Sequence, residues 1–145
     1  MTEILTRDLV VPHGRATTRD EAIDEAGALL VGSGAVSAAY VAAMHDRERT
    51  VSTYMGNDLA IPHGTNEAKD QIVRSAVCLV RYDAPIDWNG NPVRVVVGIA
   101  GVGDEHLGIL GKIAVVFADT DEARRVLDAQ TQDELLDVLH AVNTD

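Results

Sequence analysis

Two apolar runs in the middle of the chain limit its fold most. Residues 74–82, RSAVCLVRY, and 93–100, VRVVVGIA, are rich in branched side chains and read as buried strands. The second is continuous enough to suit a sheet covered on both faces. Between them residues 87–92, DWNGNP, form a turn whose Asn-Gly pair is the strongest local signal. Such a sheet needs helices on both sides, and the flanking sequence has them. Thr18-Arg19-Asp20-Glu21 is a capping box, and Ile23, Gly27, Leu30 and Val31 follow at helical spacing. This helix should stop at Gly32-Ser33-Gly34. A second should run from about Val36, with Val36, Tyr40 and Met44 on one stripe, into the charged segment DRER. After the second run, GVGDEH leads into a helix of roughly 104–118, followed by helices of about 119–129 and 131–142. The last opens with a second capping box, Thr131-Gln132-Asp133-Glu134. The expected fold class is α/β: a three-layer sandwich with a mixed, largely parallel central sheet flanked by helices on both faces.

The length of 145 residues predicts one domain over 1–145, large enough to hold together without a disulfide or metal. With aromatics at 3%, the core must be built from Val, Ile, Leu and Ala. A net charge of −11 argues against general nucleic-acid binding and against docking on anionic lipid. It fits neutral or basic partners. Cys78, the one cysteine, lies inside an apolar run and reads as a buried thiol in a reducing cytoplasm. Residues 26–44 carry no charge and approach the length of a membrane span, but the central GSG favours two buried helices joined by a tight turn. The N-terminal residues lack the pattern of a signal peptide.

The tripeptide Pro-His-Gly occurs twice, in LVVPHG at 9–14 and LAIPHG at 59–64. The flanks, RATTRDEA and TNEAKDQI, do not match, so a duplication is not expected. Of the five histidines, His140 sits near a helix end, where a cation meets the helix dipole favourably. His45 lies among Met44, Asp46 and Arg47 and reads as a surface or helix-end residue. His13 reads as part of a turn. His63 is better presented: Pro62 stiffens the chain before it, and Gly64 lets a ligand or a partner's backbone come close. His106 lies just inside a predicted helix N-terminus, where free N–H groups gather and the dipole opposes protonation. Asp104 is its natural N-cap. Arg47 and Arg49 flank Glu48 in a run whose ordinary reading is a solvated charge cluster; Arg47 could bind phosphate if it points at a site.

Two histidines, an arginine and a helix N-terminus are sufficient for phosphoryl transfer without a metal. A neutral imidazole can attack phosphorus while the second ring and backbone N–H groups steady the equatorial oxygens. The residues alone do not compel that account. A metal-binding module using His63, His106 and an aspartate is its rival, though no HxxxH or HxH spacing supports it.

The stretch AAMHDRERTVSTYMGNDLAIPHGTNEAKD, residues 42–70, resembles the enzyme IIA component of the phosphoenolpyruvate-dependent sugar phosphotransferase system, in its mannitol/fructose class. The resemblance is closest to the mannitol branch, through DRE, STYMGN, IPHGT and EAKD, and extends over nearly the whole chain through GDEHLGIL. It implies that His63 is the phosphorylated histidine, that His106 supports the phosphoryl group and that Arg47 lies near both. It implies a cytoplasmic phosphocarrier that accepts phosphate from HPr and passes it to a cysteine of enzyme IIB, with no cofactor and no metal. No IIB or IIC segment is fused, so a stand-alone IIA is expected, and Cys78 matches no acceptor cysteine. The first PHG then looks like a chance echo. The Gly56-Asn57-Asp58 turn departs from mannitol-type relatives and could tune the site. A regulatory, nitrogen-type IIA is the alternative within the same chemistry.

Overall fold

The structure is a computed structural model, which describes residues 4–140. Its centre is the hairpin formed by the two apolar runs. Strand β4 (Ala76–Trp88) pairs antiparallel with β5 (Asn91–Ala100), from Ala76 opposite Ala100 to Trp88 opposite Asn91. The two residues between them, Asn89 and Gly90, have φ of 56° and 92°. Two positive φ values in a two-residue loop match the right-handed twist of the flanking strands, which is why Asn-Gly is favoured there. β4 continues beyond the expected 82, through a register shift between Arg81 and Ile86. Pro85 falls inside that irregular stretch, where a missing N–H breaks no ladder bond.

Three short strands complete the sheet: β1 (Val10–Val11), β2 (Tyr54–Gly56) and β3 (Leu59–Ala60), in the order β1-β4-β5-β3-β2. β1 runs parallel to β4 and β3 parallel to β5, while β2 is antiparallel to β3. The α/β class and the mixed sheet are as expected, but the parallel majority is not. Among the described residues parallel and antiparallel pairings are equal in number, and the longest pairing is antiparallel. The reason is local: a two-residue turn can join only antiparallel strands.

Helices α1 (Arg19–Gly32) and α2 (Ala39–Thr50) lie on one side of the chain's centre. Helices α3 (Glu105–Ala118), α4 (Thr120–Asp128) and α5 (Gln132–Leu139) follow the hairpin. Side chains of β4 show the two covered faces. Cys78 Sγ donates to the Ala26 carbonyl, 3.3 Å away, and Tyr82 Oη donates to Glu25, 2.6 Å away, both on α1. Arg81, on the opposite face, donates from Nε to the Leu127 carbonyl of α4 at 2.6 Å. Both threonine caps form, and the glutamates accept one residue ahead of them, from the Thr17 and Gln130 N–H groups. Thr18 accepts from the Glu21 N–H and Thr131 from the Glu134 N–H. α1 ends at Gly32, and Gly34 has φ of 84°. α2 starts three residues later than expected, because Val36 makes a bridge to Ile72 instead of a first helical turn. The charge-free stretch is thus divided between two helices. Among the described residues no helix is long and apolar enough to cross a membrane. The predicted end of the last helix at 142 lies outside the described residues.

Cys78 is fully buried, and burial pushes its thiol up to about 12. Only the thiolate reacts with alkylating agents. The native protein should therefore leave iodoacetamide unreacted at pH 8 and take up one equivalent once unfolded in urea, as read by mass spectrometry. Alkylation of the native protein at the rate of a free thiol would contradict this packing.

Candidate functional site

The two Pro-His-Gly turns occupy equivalent places in the sheet. Each ends a two-residue strand lying parallel to one arm of the central hairpin. Gly14 N–H donates to the Arg81 carbonyl of β4 at 2.8 Å, and His63 bridges to Ile99 of β5. Because the arms are antiparallel, the turns emerge at opposite ends. Their glycines also serve alike. A Cβ on Gly14 would lie 2.4 Å from the Tyr82 ring, and one on Gly64 would lie 2.5 Å from the Tyr40 ring. The close neighbour of Gly64 is thus a tyrosine of the chain itself. The echo has an architectural basis, but the surroundings differ. His13 is exposed, with Nδ1 3.1 Å from the Asp83 carboxylate, which is held below the usual carboxylate range by Arg81 first and His13 second.

His63 opens onto a cavity of about 470 Å³ that also includes Arg47, Thr50, Lys69 and His106 among its walls. Its Nδ1 lies 2.9 Å from the Ile61 carbonyl. A carbonyl can only accept, so Nδ1 carries the hydrogen and Nε2 keeps the lone pair. The His106 ring lies 4.9 Å from that of His63, centroid to centroid, at an angle of 53°. Gly101 makes this possible. A Cβ there would lie 2.5 Å from His106 Cα, so only glycine lets α3 start so close to the end of β5. His106 is the second residue of α3, as expected. Asp104 stands at the N-cap position but its side chain makes no capping bond.

Burial holds the His63 imidazole below the ordinary histidine range; the Ile61 carbonyl opposes that shift, and Arg47 adds to it. His106 is lowered too, first by burial and then by His63, Lys69 and Arg47. Both rings are neutral at pH 7. In a titration followed by their Cε1 proton signals, both should reach midpoints below about 6.5; a midpoint above that value would contradict the geometry. Unfolding raises both values, so the unfolded chain binds more protons on the acid side. Stability from these two sites is complete above about pH 6.5 and falls as pH drops through their lowered native values.

Arg47 reaches the cavity from the last turn of α2, and its Nη1 donates to the Val51 carbonyl at 2.7 Å. The charge cluster around it is only partly solvated. Arg49 pairs with Asp46 at the surface, but Glu48 is 3% exposed. The Glu48 carboxylate accepts from Trp88 Nε1 at 2.5 Å, Thr53 Oγ1 at 2.6 Å and Thr53 N–H at 3.0 Å. It locks the end of α2 to the hairpin and to the segment leading into β2. Nothing in the local sequence marks its burial, or marks Lys69 and Thr50 as cavity walls. Lys69 lies in EAKD, a segment singled out above without a role for its lysine. The other histidines stand apart: His45 Nε2 lies 2.7 Å from Asp24 Oδ1, and His140 caps the end of α5. The unusual Asn57 donates to the Phe117 carbonyl at 3.0 Å. Phe117 is near the far end of α3, about 16 Å along the helix from His106.

The fold is that of the IIA phosphotransferase components. It superposes on the crystal structure of IIA mannitol from Escherichia coli with a TM-score of 0.85 at 33% identity, covering 92% of this chain and 97% of that one. It matches the IIA in the Escherichia coli complex of IIAMTL with phosphorylated IIBMTL at 0.86 and 33%, covering 92% and 95%. In sequence, the mannitol-specific phosphotransferase enzyme IIA component of Halalkalibacterium halodurans is 46% identical over 140 residues, 97% of either chain. That of Staphylococcus aureus is 45% identical over 138 residues, 95% of this chain and 96% of the relative. Residues 3–142 match the family model for the phosphoenolpyruvate-dependent sugar phosphotransferase system, EIIA 2, and the chain belongs to that family. The nitrogen regulatory protein IIA-Ntr of Neisseria meningitidis, at 24% identity and a TM-score of 0.81 over 94% of this chain and 96% of its own, shares the fold.

Proposed function

We propose that this chain carries a phosphoryl group on Nε2 of His63, taking it from phosphorylated HPr and passing it to the cysteine of an enzyme IIB that serves mannitol or a related sugar. The observation that carries this reading is the Nδ1–H bond to the Ile61 carbonyl. It leaves Nε2 as the nucleophile, in a cavity that also holds a second neutral imidazole and two cationic side chains. The Nε2 lone pair attacks phosphorus in line, the donor's N–P bond breaks, and its electron pair stays on the donor's ring. The Nδ1–H remains on His63, so no base is needed. The positive charge gained by the ring is steadied by the Ile61 carbonyl. His106 and Arg47 support the phosphoryl oxygens. In the second transfer a thiolate attacks the same phosphorus, and Nε2 is the leaving group. The net charge of −11 favours encounter with a basic carrier. The mannitol-specific names of the relatives at 46% and 45% identity favour a mannitol-type acceptor.

Incubation with enzyme I, HPr and labelled phosphoenolpyruvate tests this. One acid-labile, base-stable phosphate per chain is expected, and a mannitol-type IIB should drain it. His106→Ala should still take label but pass it to IIB at least about tenfold more slowly. Failure to label, or label that IIB cannot remove, would overturn the reading.

A further inference from the structure

Tyr40 contributes its ring to the cavity wall and is 2% exposed. Its hydroxyl joins two strands of backbone that have no sequence connection. It accepts from the Gly64 N–H at 2.9 Å and donates to the Ile99 carbonyl at 2.8 Å. Gly64 follows His63 directly. Ile99 lies just ahead of Gly101, the residue against which His106 packs. A second tie closes the same junction, with Ile99 N–H donating to the Pro62 carbonyl at 3.1 Å. The residues on both sides of His63 are thus fastened to the end of β5, one directly and one through the phenol. The Tyr40 ring fills the space left by the absent Gly64 Cβ, so the hydroxyl cannot slide away from its partners.

We propose that Tyr40 is a positioning residue for phosphoryl transfer, its hydroxyl holding the His63 turn in register with the end of β5, against which His106 packs through Gly101. This rests on the phosphocarrier reading above. The hydroxyl's one proton is committed to the Ile99 carbonyl, so it plays no part as an acid. Its contribution is geometric. Phosphoryl transfer depends on aligning nucleophile, phosphorus and leaving group, and a misplacement of about 1 Å costs on the order of a hundredfold in rate. Burial raises the Tyr40 phenol above its ordinary range, so it stays neutral and adds no negative charge beside the phosphoryl group.

Tyr40→Phe keeps the ring and removes only the hydroxyl. Tyr82→Phe is its control: it also removes a buried tyrosine hydroxyl, the one bonded to Glu25 beside the first PHG turn. Single-turnover transfer from phosphorylated HPr should slow at least about tenfold in Tyr40→Phe, with half-saturating HPr within about twofold of wild type. Tyr82→Phe should transfer at the wild-type rate. The ring ¹⁵N shifts of His63 should report the Nδ1–H form in wild type and in Tyr82→Phe, and move toward a tautomer mixture in Tyr40→Phe. Gly64→Ala gives a second reading. Its methyl would displace the ring while the hydroxyl remains, and it should show the same slowing at the same HPr requirement. Equal losses in Tyr40→Phe and Tyr82→Phe, a loss confined to HPr affinity, or a wild-type rate in Tyr40→Phe or Gly64→Ala would overturn the proposal. None of these results touches the phosphocarrier reading, which fails separately if His63→Ala still labels.

Discussion

With His63 replaced by alanine, the protein should take up no phosphate from phosphorylated HPr. The variant loses the imidazole in the cavity whose Nδ1 is tied to a backbone carbonyl. Removing a nucleophile typically costs at least about 10⁴-fold; in the proposed mechanism the remaining groups bind and steady the phosphoryl group without accepting it. His106 should not substitute. In this account its ring serves the oxygens of a group already bonded to Nε2. The fold should persist, since His63 is only half-buried and the turn is held by Tyr40 and Ile99 through backbone groups. His13→Ala, at the other Pro-His-Gly turn, should label like wild type. The ring there faces Asp83, whose negative charge would repel a phosphoryl group. Normal labelling of His63→Ala, or loss of labelling in His13→Ala, would reverse the choice between the turns.

The second large effect falls on stability. Glu48→Ala should lower the free energy of unfolding by about 2–4 kcal/mol, since it leaves the buried Trp88 N–H and the Thr53 N–H without their acceptor. For a domain of this size that is a drop of about 10 °C in melting temperature. Glu48→Gln keeps the shape and one acceptor oxygen, so it should recover part of the loss. Arg49→Ala, next along the same helix, should change little, because its pair with Asp46 is solvated on both sides. Urea unfolding of the three variants separates these outcomes. A cost below about 1 kcal/mol for Glu48→Ala would mean that its network carries little of the structure.

The features legible in the sequence are those written in neighbouring residues. The capping boxes at Thr18 and Thr131, the stop at Gly32 to Gly34 and the Asn89-Gly90 turn are each complete within four or five positions. The two threonine caps, the stop and the turn all form. Strands β1, β2 and β3 were not legible, because two or three residues carry no period and are set by what they pair with. The pairing sense was misjudged for a related reason. An apolar run shows that both faces are covered, but the turn between the runs decides direction. Glu48 was hidden because the group that buries it, Trp88, is distant in the chain, while its neighbours Arg47 and Arg49 suggest water. Of the candidate site, His63, His106 and Arg47 were named in advance, and the structure brings them to one cavity. Lys69 and the Tyr40 hydroxyl were not named. A tyrosine on an apolar helical stripe reads as core, and nothing nearby in sequence shows where its hydroxyl will end.

The most direct test is to phosphorylate ¹⁵N-histidine-labelled protein and find the nitrogen bonded to phosphorus by NMR. One phosphorus coupled to Nε2 of His63 is expected, with the hydrogen still on Nδ1. Phosphorus on Nδ1 of His63, or on His106 or His13, would contradict it.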